Sequence, residues 1–143
     1  MTTVRTQAPL RTRTVAAVQS PLVVGAALAA GSLLVAVRDP HQGGYPICPV
    51  LALTGMACAG CGGLRAAHDL VTGDLAGAWA MNPLLTVAMP VAAVLWLVWL
   101  IRSARGLPAW QPPAWVWIGT VLAVLAFSIL RNLPGLHGVL GPG

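Results

Sequence analysis

The sequence predicts an all-α integral membrane protein with three transmembrane helices and a Cys/Gly-rich loop carrying two short interfacial helices. Three observations predict it. The 143 residues are 57% hydrophobic and 8% charged, with a mean hydropathy of +0.81. A soluble domain carries about 25% charged residues to stay hydrated, so lipid is the solvent this chain requires. Three apolar runs are long enough to approach the thickness of a bilayer. The positive balance of +5 comes from eight arginines and no lysine. They stand singly at the ends of the apolar runs, as membrane-flanking charges do, rather than clustered as nucleic-acid binding requires.

Residues 1–14 are polar, hold Arg5, Arg11 and Arg13, and read as a disordered basic tail. The first transmembrane helix covers 15–37, where Ser20 can cap and Pro21 suits a first helical position. From Pro21 onward it spans about 25 Å at 1.5 Å per residue, the short end of a membrane span. That apolar core is too long for a signal peptide, and no good small-x-small cleavage site precedes Arg38. Gly25, Ala29, Ala30 and Gly31 are small enough for another helix to approach closely, or are simply apolar filler.

Residues 38–82 form the long loop, with short helices expected over 64–72 and 75–81. Gly73 ends the first, Asp74 can cap the second, and Asn82-Pro83 starts the second span. Both short helices need a surface to pack on, because pieces of this length are unstable alone. Trp79 can anchor them at the interface. The second transmembrane helix runs over 83–101, with Pro90 expected to kink it. A turn over 102–112 leads to the third, over 113–130, closed by Arg131-Asn132 and Pro134-Gly135. Residues 131–143 are a tail in which His137 reads as a solvated or interfacial side chain.

Five of the six tryptophans flank the turn between the second and third spans, as one half of an aromatic belt. The amino-terminal tail and that turn hold five arginines, against three in the long loop and carboxyl tail. The positive-inside bias therefore puts the amino terminus in the cytoplasm and residues 38–82 outside. Abundant Ala, Gly, Pro and Arg without Lys or Glu fits a GC-rich bacterial genome, hence a bacterial cell membrane.

Any chemistry must come from the loop. Residues 48–82 hold all three cysteines and two of the three acidic residues. Cys48, Cys58 and Cys61 admit three readings. As a disulfide or redox pair, Cys58 and Cys61 would suit an oxidising compartment, and a thiol near a helix start gains thiolate character. Cys48 could pair with either, since spacing cannot fix connectivity. As a metal site, Cys48, Cys58, Cys61 and His68 supply four ligands suited to tetrahedral zinc. Cys61 and His68 would lie about 10.5 Å apart along a continuous helix, so Gly62-Gly63 would have to turn the chain back. The third reading makes the cysteines small buried hydrophobes, and His68 a buried, hydrogen-bonded side chain.

Arg65 requires a partner at an interface. Asp69, at i+4, would give a solvated pair worth about 0.2–0.5 kcal/mol. Asp74, backbone carbonyls or a lipid phosphate beside the helix start are the alternatives. Arg65, Asp69, Asp74 and Asn82 are thus structural or anion-binding candidates. No Ser-His-acid order, phosphate-binding glycine loop or carboxylate pair is present, and no acidic residue lies inside a span to carry protons.

The pattern Cys48-Pro49, Thr54-Gly55, Cys58-x-Gly60-Cys61-Gly62, Arg65-Ala66, Gly73-Asp74, Ala78 and Asn82-Pro83 resembles the bacterial domain-of-unknown-function family 2752 (DUF2752). Its signature reads roughly C-P…T-G…C-P-G-C-G-x-T-R-A…G-D…N-P, and the closing Arg131-Asn132-Leu133-Pro134 also looks family-like. Ala59 and Leu64 depart from it, the latter removing a hydroxyl that would cap the helix. The resemblance implies a small multi-pass membrane protein and brings no activity with it. The expected function is a structural or interaction module with a cysteine-stabilised extracytoplasmic cap, without a catalytic residue or obligatory cofactor. A thiol-disulfide oxidoreductase using Cys58 and Cys61 and a zinc-stabilised module are the alternatives. The expected partners are the lipid bilayer and another membrane protein, not nucleic acid.

Overall fold

Among the described residues, six α-helices and one 3-10 turn follow one another and no strand occurs. The computed structural model describes residues 10–43, 48–108, 110–136 and 140, so residues 1–9 and His137 lie outside it. Helix α1 covers Leu10–Val37 and is followed by the 3-10 turn Pro40–Gln42. Helices α2 (Pro49–Thr54), α3 (Gly63–Thr72) and α4 (Leu75–Met81) build the loop region. Helices α5 (Pro83–Ala104) and α6 (Ala114–Leu130) complete the fold.

Helix α1 starts five residues earlier than the apolar run, so residues 10–14 are helical rather than part of a tail. Leu and Arg are good helix formers, and extending an existing helix costs little once its nucleus has formed. Pro21 accordingly lies inside α1 instead of opening it. Helix α5 begins where expected, because the Leu85 N–H donates to Asn82 Oδ1 at 3.0 Å and Pro83 supplies the first helical position. It runs three residues beyond the expected end. Helix α2 was not expected at all. Pro49 opens it and Gly55, at φ 69°, closes it, a start and stop that six residues leave hard to see.

Two stretches, Val18–Val37 and Pro83–Ala104, are long and apolar enough to cross a membrane, and α6 is a shorter apolar helix. Within the most apolar 18 residues of each, only 6% of the first and none of the second is buried inside the fold, unlike the core helix of a soluble protein. Helices α1 and α5 pack on each other, and one close approach lies at Gly25. The Trp96 indole N–H donates to the Pro21 carbonyl at 2.9 Å, and the ring lies over Gly25, where a Cβ would overlap it. Ala29, Ala30 and Gly31, from the same small-residue stretch, are exposed and have no such role.

Because its hydrogen bond pins the ring, Trp96 cannot swing away from a larger residue. Gly25→Val is therefore expected to weaken the α1–α5 pair by about 1–3 kcal/mol, the usual cost of overpacking. Thermal unfolding in detergent, with Ala29→Val as a silent control, measures it.

Helix α3 packs on α4, α1 and α5, with Ala66 and Ala78 fully buried. Gly73, at φ 92°, turns the chain between α3 and α4, and the Gly77 N–H donates to Asp74 Oδ1 at 2.8 Å to cap α4. Helix α6 has no buried residue along its length and makes no extensive contact with another helix. It is held at its carboxyl end, by residues that reach the cysteine turn.

Candidate functional site

Cys48 sits at the start of α2, and Cys58 and Cys61 lie in the turn that joins α2 to α3. All three are free thiols. The Sγ atoms of Cys48 and Cys58 are 3.5 Å apart, those of Cys58 and Cys61 also 3.5 Å, and all three lie within 4.8 Å of one another. The turn is tight: the Cys61 N–H donates to the Cys58 carbonyl at 3.0 Å, and the Cys58 N–H donates to Cys61 Sγ at 3.3 Å. Gly62 lets the chain leave it, with φ 75° and its α-carbon so close to Met81 that a Cβ would stand 2.7 Å from that carbonyl oxygen.

The three sulfurs differ in environment. The N–H groups at the start of α2, chiefly that of Leu51, lower the Cys48 thiol below its usual range, and the Cys58 thiol adds to this. Burial pushes Cys61 up to about 11, helped by the neighbouring Cys58 thiol. The helix start that favours a thiolate thus serves Cys48 and not Cys61, contrary to the expectation for a thiol ahead of α3. The reason is α2 itself, whose presence puts Cys48 at a helix start.

Two residues from the end of α6 and one from the start of α5 hold the cysteine turn. Arg131 is fully buried, and its Nη1 donates to the Cys61 carbonyl at 2.8 Å and the Cys58 carbonyl at 3.3 Å. Its guanidinium lies 5.7 Å from the centre of the Phe127 ring, one helical turn earlier. Asn132 pairs with the backbone of Ala57 in both directions, accepting from its N–H at 2.9 Å and donating to its carbonyl at 2.8 Å. Fully buried Asn82 donates to the Ala59 carbonyl at 2.8 Å and the Cys61 carbonyl at 3.1 Å while capping α5. Sequence reasoning saw Asn82 as a cap and Arg131-Asn132 as a helix end. Hydrogen bonds to residues 70 and 75 positions away leave no local signal, and only the family-like look of Arg131-Asn132 pointed to them.

The remaining candidates form a separate group. His68 is not brought to the cysteines, which corrects the four-ligand metal set. Its Nδ1 donates to the Val35 carbonyl at 2.8 Å, and its Nε2 is 3.8 Å from Asp39 Oδ1. The helix continues from Gly63 without turning back, so His68 faces the end of α1. Asp69 is buried, and its Oδ1 lies 2.9 Å from His41 Nε2 rather than pairing with Arg65. Arg65 is exposed and makes no ion pair with Asp69 or Asp74 among the described residues. His41 and His68 meet edge to face with ring centres 6.0 Å apart, so this His/Asp group ties α1 and the 3-10 turn to α3.

Residues 48–96 match the family model described as "Protein of unknown function (DUF2752)", the family whose signature the loop resembles. The matched stretch contains the three cysteines, α2 to α4 and the first part of α5, and stops before Arg131. The searches of curated proteins and of solved structures give no match. The family match and the apolar helices together fit a membrane protein of unknown activity.

Proposed function

We propose that this chain is a three-span bacterial membrane module whose outward cap is locked by a zinc ion on the thiolates of Cys48, Cys58 and Cys61. The observation that carries this is the gathering of three sulfurs within 4.8 Å, with two separations of 3.5 Å. Thiolates about 2.3 Å from a tetrahedral zinc stand roughly 3.8 Å apart, inside that range. Charge supports the same reading. Three thiolates and a divalent cation leave one negative charge, and the buried Arg131 guanidinium stands on the same turn. The cap then serves as a rigid platform on the bilayer, available to another membrane protein. Five arginines against three support an outward cap, and α6 is taken as a third, short span.

A second reading has one observation in its favour: Cys58 lies 3.5 Å from both other sulfurs, so a single disulfide through Cys58 could form with either. Metal analysis and thiol counting on detergent-purified chain separate the two. The zinc reading expects about one zinc per chain and three thiols that react with maleimide only after chelation. It also expects Cys58→Ser to lose the metal. Finding no metal and one reactive thiol, rising to three with reductant, would replace it by the disulfide. Impermeant maleimide on intact cells, after chelation or reduction, tests the outward orientation.

A further inference from the structure

We infer that the metal's fourth coordination position is left open by the described residues and accepts a neutral nitrogen donor of the imidazole class from outside. This rests on the metal reading above and extends it from a lock to a binding site. Tetrahedral zinc takes four ligands, and a site with three protein ligands keeps an exchangeable position. Among the described residues only the three cysteines gather in this way. The other described His and Asp side chains have partners elsewhere. His68 is on the Val35 carbonyl, His41 is on Asp69, Asp39 accepts from the His41 N–H, and Asp74 caps α4.

Exposure and charge give the open position its direction and its preference. Cys61 is buried while Cys48 and Cys58 are half-buried, so an incoming ligand approaches over the Cys48–Cys58 edge. Three thiolates, one divalent cation and the Arg131 guanidinium sum to zero. A neutral donor preserves that balance in a partly buried site, whereas a fourth thiolate would add an uncompensated charge. A histidine side chain presented by a partner protein has the required chemistry.

Cobalt substitution of the full-length chain in detergent tests this, with free imidazole as the probe. The expected result is one cobalt per chain with thiolate-to-cobalt charge-transfer absorption. Its ligand-field bands should shift saturably with imidazole, while the charge-transfer intensity and the bound cobalt stay constant. A monothiol added instead should shift the bands only at far higher concentration. If imidazole leaves the bands unmoved in the wild-type chain and moves them in His137→Ala, the chain fills the position itself and the inference fails. It fails equally if the bands move in neither protein, since the position is then closed. Failure to bind cobalt at all would instead overturn the metal reading, and the open position with it.

Discussion

Arg131→Met is expected to open the cysteine turn without unfolding the long helices. The substitution keeps the apolar stem and removes the donor that satisfies the Cys58 and Cys61 carbonyls in a fully buried setting. Hydrogen bonds to a charged donor contribute about 1.5–3 kcal/mol each, and the Cys58 and Cys61 carbonyls then keep only their neutral donors, the Cys61 N–H and the Asn82 amide. The cap should therefore lose roughly 3–5 kcal/mol. At 1.4 kcal/mol per tenfold, local opening becomes at least about a hundred times more frequent. Maleimide labelling of chelator-treated chain reads this as a rate. Arg131→Lys should fall between, because an ammonium is a single point donor without the fork of a guanidinium. A labelling rate for Arg131→Met within threefold of wild type would show that the guanidinium does not hold the turn.

Asn82→Ala should have the next largest effect, through both ends of one amide. The oxygen caps α5 at Leu85, worth about 1 kcal/mol, and the nitrogen bridges the Ala59 and Cys61 carbonyls. Leaving those carbonyls without that donor adds about 1–3 kcal/mol, giving roughly 2–4 kcal/mol in total. Asn82→Asp separates the two contributions. It retains the acceptor for the Leu85 N–H but sets a carboxylate against two carbonyl oxygens. Helix content should then stay at the wild-type level while thiol labelling accelerates at least as much as in Asn82→Ala. If Asn82→Asp instead leaves labelling at the wild-type rate, the bridge to the cysteine turn contributes nothing.

What the sequence made legible is local. Asn82-Pro83, Gly73-Asp74 and the apolar runs are read within a few residues of themselves, and α4 and the start of α5 fall where those signals put them. Helix α2 carried its own signals in Pro49 and Gly55, but its six residues lie among other turn formers that masked them. The proximity of the three cysteines to one another was partly visible in their spacing. For His68 the reading as a hydrogen-bonded side chain agrees with its place, and the reading as a metal ligand does not. Its spacing leaves the hydrogen-bond partner open, and the answer is the Val35 carbonyl 33 residues away. Asp69 was one of several candidate partners for its helical neighbour Arg65, whereas its own partner His41 comes from the 3-10 turn after α1. The clamp of Arg131 and Asn132 required tertiary closure that no window along the chain contains.

The distance of that clamp along the chain also dictates when the cap can exist. Residues 48–61 leave the ribosome long before residues 131 and 132, and loop-closing contacts of this reach form late in folding. Until residues 131 and 132 are synthesised, the cysteine turn lacks the side chains that satisfy its backbone. A helix made later thus completes a turn encoded earlier in the message. Nascent chains lacking it carry the three sulfurs on a turn that is not yet clamped.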